Sequence, residues 1–209
     1  MKAFRLMFGF VMLTMILGSA VYAAGEASKE GVAPQVKGQM DPAMMEKMKA
    51  LSAPSEAHKV LEAFAGKWTY TGKFWMTPDA PAQEMTGSAE NEMMFGGRFL
   101  KQESTGPWMG ETFHGLGYTG YDNIRREYAS VWLDDMGTGL MTVSGSYDAA
   151  TKTLTQIGAN SCPLTGEKAR VSRSTWTVVD NDRTTYTSYL FGPDGKEFKS
   201  MEINYTRTL

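Results

Sequence analysis

His114 stands three residues after Glu111, with Asp134 and Glu202 elsewhere in the chain. One His paired with any of these carboxylates is the smallest set from which general acid–base chemistry could be built. In a strand, however, the same His equally serves as a wall residue facing solvent. Tyr205 and Arg207 lie two residues apart and share a face if their segment is extended. A phenol beside a guanidinium could hold a ligand carboxylate. Alternatively, Arg207 could stack on Trp68 as a cation–π contact and close the fold. Trp68, Tyr70, Phe74 and Trp132 supply aromatic surface for an inner wall. The candidate ligand-binding set is therefore Trp68, Tyr70, Phe74, His114, Trp132, Tyr205 and Arg207, and no catalytic residue is assigned.

Other chemistries find little to work with. The chain has 2 His and 1 Cys, whereas common zinc sites need three or four clustered ligands, so no metal and no cofactor are expected. No G-x-S-x-G nucleophile motif occurs. The Gly-rich stretches lack the Lys-Ser/Thr of a phosphate loop. Gly115, Gly117 and Gly120 within one segment are read as relief of crowding at a bend in a barrel wall. Met40, Met44, Met45 and Met48 could offer soft thioether ligands to Cu(I), or form an apolar helix face packed on a neighbour. Cys162 is the single cysteine, so no disulfide can form within the chain.

These residues sit in a chain of 209 residues with a formal net charge of −2. That balance argues against a nucleic-acid partner, which a basic patch would mark. Lys2 and Arg5, the apolar run Leu6 to Gly18, and Val21-Tyr22-Ala23 form a signal peptide over residues 1–23, with cleavage expected after Ala23. No Cys follows the apolar run, so a lipoprotein is excluded. Cleavage removes two positive charges and takes the net charge to −4. The expected location is secreted or periplasmic, with no stable membrane span after processing.

Residues 24–54 read as a leader carrying a short Met-rich helix. Asp41 is its N-cap and Pro42 its first residue, and it runs to about Leu51. Ser55 caps a second short helix, whose Val60, Leu61 and Phe64 share one face. From Gly66 the period becomes two. Trp68, Tyr70 and Phe74 alternate with Thr69, Thr71 and Lys73. A second strand surrounds Met85 to Phe95. Further strands are expected near 98–105, 111–121, 126–133, 139–145, 152–159, 168–179, 183–191 and 197–207. Turn chemistry separates them at Gly96-Gly97, Asp122-Asn123, Asp134 to Gly137, Tyr147-Asp148 and Pro193-Asp194-Gly195. About ten short strands and no long helix between them predict an all-β domain over 55–209. Closure into an antiparallel up-and-down barrel removes the exposed edges that a sandwich would leave.

Gly66-Lys67-Trp68, following a short helix, resembles the opening of the calycin superfamily that includes lipocalins. His58-Lys59-Val60-Leu61, Gly96-Gly97-Arg98-Phe99-Leu100 and Gly117-Tyr118-Thr119-Gly120-Tyr121-Asp122 are similar to motifs of the bacterial family of unknown function numbered 1579. So are Trp132-Leu133-Asp134, Leu164-Thr165-Gly166 with Lys168, and Met201 to Arg207. The resemblance covers residues 55–207 and implies a calycin-like barrel without assigning an activity. It places His58 where the helix meets the barrel. One departure is Cys162-Pro163, where an acidic residue is expected before the Pro. The nitrobindins, a neighbouring calycin-like family, hold haem through a late His; here the only His are His58 and His114.

The sequence therefore points to an exported barrel that binds a small apolar or amphipathic molecule, or one bearing a carboxylate. The pattern specifies no oligomeric state. The alternatives are a structural or envelope-associated barrel without ligand, and an enzyme using His114 with a nearby carboxylate.

Overall fold

The structure is a computed structural model and describes residues 41–162, 165–192 and 194–208. The expected signal peptide, the leader up to Met40, and Pro163, Leu164 and Pro193 lie outside the described residues. Helix α1 spans Pro42–Ser52 and α2 spans Glu56–Lys59, continuing as a 3-10 turn over Val60–Phe64. Ten strands follow: β1 Gly66–Phe74, β2 Gln83–Met94, β3 Phe99–Trp108, β4 Glu111–Asp122 and β5 Glu127–Asp134. Then come β6 Met141–Asp148, β7 Thr153–Asn160, β8 Arg170–Val178, β9 Arg183–Phe191 and β10 Glu197–Arg207. Each strand pairs antiparallel with its chain neighbours, and β1 also pairs with β10, so the sheet is a closed up-and-down barrel. This is the architecture that the period-two pattern predicts.

Alternation decides which face is inside. Along β1, Trp68 and Tyr70 are buried while Lys67, Thr69 and Thr71 are exposed. The partner β2 buries Ala89 and Asn91 and turns Glu84, Thr86, Ser88, Glu90 and Glu92 out. The outer wall made by these two strands is therefore charged and hydroxylated, as water-facing walls are.

One end of the barrel is plugged. Ser55 caps α2, and its N–H donates to His58 Nδ1 at 2.9 Å. His58 is buried, and its ring stands edge-on to Tyr121. Burial, aided by the Arg98 charge, pushes its pKa down despite a hydrogen bond to the Tyr121 backbone. Leu61 and Phe64 are fully buried and pack on Leu100, Tyr128, Leu154 and Trp176. Each such side chain contributes about 1.5–3 kcal/mol. Phe64 lies on Trp176 with ring centroids 4.0 Å apart. Barrel side chains also grip the plug by its carbonyls. Trp68 Nε1 and Asn91 Nδ2 both donate to Phe64 O, at 3.0 and 2.9 Å. Tyr128 donates its hydroxyl to Ala57 O at 2.7 Å.

The same end holds the seam. Arg207 is directly opposite Trp68 in the β1–β10 register, and its Cζ lies 4.1 Å from the indole centroid. Its three donor nitrogens reach Asn181 O at 2.9 Å, Ala65 O at 2.6 Å and Ala63 O at 3.2 Å. This is the closure arrangement, and it leaves the Arg207–Tyr205 carboxylate clamp unassembled. The guanidinium is engaged with main-chain acceptors and points at the plug.

Helix α1 is the short Met-rich helix that the sequence places after Asp41. Asp41 caps it through Ala43 N at 3.0 Å, as the sequence suggests. Among the described residues its Met face is largely uncovered: Met44, Met45 and Met48 are 57%, 51% and 52% exposed. Among the described residues, the helix is tied at its C-terminal end, where Arg98 donates to Ser52 O and Asn123 donates to Leu51 O and Ala53 O.

Two outcomes follow. Arg207→Ala removes a desolvated cation–π contact worth about 2 kcal/mol, so the melting temperature should fall by roughly 4–8 °C. Trp68→Ala should cost more, about 3–5 kcal/mol, and calorimetry of the double variant should show a loss smaller than the sum. Alkaline pH supplies the second. Burial pushes the Tyr128 phenol up from 10.0 to about 12. Its stabilisation is complete below pH 10 and is lost as pH rises through about 12. Denaturant midpoints measured from pH 9 to 12 should fall more steeply in the native chain than in Tyr128→Phe, whose midpoint starts lower.

Candidate functional site

Above the plug, the inward positions of several strands turn polar. Gln102 on β3, Thr119 on β4, Ser130 on β5, Gln156 on β7 and Ser174 on β8 all face in. Thr119 Oγ1 meets Ser130 Oγ at 2.8 Å and reaches Gln102 Oε1 at 3.5 Å. Gln156 Nε2 donates to Ser130 Oγ at 2.9 Å. That reach crosses β6, where Gly145 pairs with both Tyr128 and Gln156 and puts no side chain between them. A Cβ there would stand 2.8 Å from Gln156 Cα.

The belt continues round the barrel. Ser174 is opposite Gln156, and Tyr186 hydrogen-bonds Ser174 and Ser188. Tyr205 and Tyr70 follow, with ring centroids 5.5 Å apart. Ser104 Oγ donates to Tyr70 Oη at 3.4 Å, returning the circuit to β3. Gly87 and Gly106 make room for the Tyr70 hydroxyl, which a Cβ on either would strike. Every side chain in this circuit is neutral. Burial pushes the Tyr186 and Tyr205 phenols up, so they stay protonated at neutral pH. Yet Gln102, Ser104, Ser130, Tyr186 and Tyr205 keep partial water access despite pointing inward. The belt is therefore not sealed from water.

Beyond the belt, the unplugged end is aromatic. Phe74 packs on Trp108 with centroids 5.1 Å apart. Trp108 Nε1 is buried and has no hydrogen-bond partner among the described residues. Trp132 lies flat against β4, because a Cβ on Gly115 would strike its ring and one on Gly117 would stand 2.9 Å from it. These two glycines are thus a seat for an indole and not a bend in the wall. Trp132 Nε1 donates to Asp134 at 2.9 Å, which fixes the ring on its seat. Its other face is turned to the barrel axis. Arg170 also faces in, donating to Phe191 O at 3.0 Å and pairing with Glu167 at 3.6 Å.

Of the seven residues singled out from the sequence, Trp68, Tyr70, Phe74, Trp132 and Tyr205 share the inner wall at different depths, and Arg207 belongs to the seam. His114 does not join them. It is exposed on the outer face, in a groove of about 760 Å³ with Ser88, Glu103, Thr105, Leu116 and Asp135. Its backbone N–H donates to Asp135 at 2.9 Å, while Asp134 turns inward to Trp132 and Glu202 bonds Lys199. The acid–base pairings read from the sequence are not assembled, because neighbours along a strand face opposite sides of the wall. Among the described residues no three His, Cys, Asp or Glu side chains converge as metal ligands.

The sequence reading missed the belt, Trp108 and Trp176. Trp176 between Thr175 and Thr177 repeats the alternation around Trp68, a signal that was available. Gln102, Ser130 and Gln156 carried none, since polar residues in a strand look like its wet face.

Residues 53–207 match the family described as "Protein of unknown function (DUF1579)". The chain belongs to this family. No curated protein matches it. Among solved structures, Rv2717c from M. tuberculosis shares 15% identity over 75% of this chain and 100% of its own, with a TM-score of 0.56. This likeness is one of fold. A redesigned beta barrel shares 12% identity over 76% of this chain and 100% of its own, with a TM-score of 0.38. Among the described residues of this DUF1579 protein, no helix is long and apolar enough to cross a membrane.

The Trp132 seat can be tested directly. Gly115→Ala should push the indole off β4 and break its bond to Asp134, at a cost of about 1–3 kcal/mol. A shifted Trp emission maximum with a lowered melting temperature is the expected readout; an unchanged spectrum would contradict the seat.

Proposed function

We propose that this protein is exported, loses residues 1–23, and carries a small apolar or amphipathic molecule inside its barrel. The observation that supports this reading is the ring of inward-facing, partly water-accessible polar side chains set between an apolar plug and an aromatic mouth. A barrel evolved only for stability gains from apolar side chains at these inward positions, since burying polar groups costs free energy even where hydrogen bonds offset it. Small barrels of this class either fill solid or hold one ligand. Trp132, Phe74 and Trp108 offer the contact area, and the belt offers orientation, which is the usual composition of a small-molecule site.

The test is to purify the protein natively from the envelope or medium of its source. N-terminal sequencing should begin at Ala24. Native mass spectrometry of the folded chain, followed by denaturation and extraction, should release a stoichiometric small molecule. A chain that retains Met1, or one that carries no extractable molecule and quenches no Trp fluorescence with apolar probes, would count against the carrier.

A further inference from the structure

We propose that the belt is the seat of an uncharged polar head group, so that an amphipathic ligand enters head first and leaves its apolar body against Phe74, Trp108 and Trp132. This rests on the carrier reading and adds to it the chemical class and direction of the ligand. The first ground is the order of layers along the axis. The plug end is apolar and occupied by Leu61, Phe64 and Leu100.

 Leu154 and Trp176 complete that layer, so it has no room for a tail. A ligand with both apolar and polar parts must therefore place its polar part at the belt and its apolar part toward the mouth.

The second ground is charge. The circuit Gln102, Thr119, Ser130, Gln156, Ser174 and Tyr186 holds amides and hydroxyls only. The charged groups that face inward lie elsewhere and are engaged. Arg207 is bound to backbone carbonyls at the seam and Asp134 to Trp132 and the Met136 N–H, while Arg170, four residues from Ser174 along β8, donates to Phe191 O, with its Nε 3.6 Å from Glu167 and without a hydrogen-bond partner among the described residues. A carboxylate or ammonium brought to the belt would lose its hydration and meet no opposite charge, which is strongly unfavourable. A hydroxyl, ester or amide head loses less, and the belt can replace its hydrogen bonds. Side-chain amides and hydroxyls both donate and accept, so either polarity of head is served.

The experiment titrates the full mature chain with three probes of equal alkyl length: a monoacylglycerol, the free fatty acid and the alkylamine. Trp fluorescence reports binding. The monoacylglycerol should bind at least about tenfold more tightly than either charged probe, and Gln156→Leu should cut that preference to near unity. Thr119→Val, which keeps the volume of the side chain, is the second variant and decides the matter if Gln156→Leu does not fold. Equal or tighter binding of a charged probe by the native chain would overturn the neutral-head assignment while leaving the carrier intact. So would a preference that survives the folded belt variants. Failure of all three probes to bind would remove the carrier reading, and this assignment with it.

Discussion

The pairing of β1 with β10 is the constraint on which the rest depends. An open sheet of ten strands would leave both of these as edges, free to pair with other chains. Their register sets Trp68 opposite Arg207, and the guanidinium then bonds the carbonyls of Ala63 and Ala65 in the plug and of Asn181 between β8 and β9. One side chain thus links the seam, the plug and a hairpin. A slip of one residue would turn Trp68 and Tyr70 to solvent and Lys67 and Thr69 to the core. The Trp68 hydrogen bond to Phe64 O would go with it.

Closure creates an interior, and the interior is layered. The plug end has the character of an ordinary core, with side chains wholly removed from water. The belt above it does not. Its groups are amides and hydroxyls that bond one another at distances from 2.8 to 3.5 Å. The apolar core and the polar ring therefore occupy different depths of one barrel. The Leu61–Phe64 end is held by apolar packing, and the Gln156–Ser130 level by side-chain hydrogen bonds.

Much of this order was legible in the sequence. Asp41-Pro42 marked α1, the period-two runs located all ten strands to within a few residues, and the Trp68–Arg207 stack was one of two readings available for Arg207. What stayed hidden has a physical cause. Alternation separates two faces but does not say which is wet when both carry polar side chains. On β5 the inward Ser130 is as polar as many outward residues, so nothing local distinguished it. The Gly115-x-Gly117 spacing was visible, but its partner Trp132 is on another strand, and only the β4–β5 register brings them together. His114 failed for the related reason that spacing within one strand cannot place a carboxylate from another strand beside it.

The two polar regions of the wall differ in kind, and the difference bears on chemistry. The outer groove has His114 and several carboxylates, but it is open to water and its nearest acid, Asp135, is held by a backbone N–H. The inner belt is sheltered, but its only ionisable groups are phenols that burial holds protonated well above neutral pH. General acid–base catalysis works best with a group whose pKa lies near the working pH, placed where water is excluded. In this barrel the titratable group and the sheltered space lie on opposite sides of a wall. A sheltered ring of neutral donors and acceptors can hold and orient a molecule by hydrogen bonds, which is the use proposed for this interior.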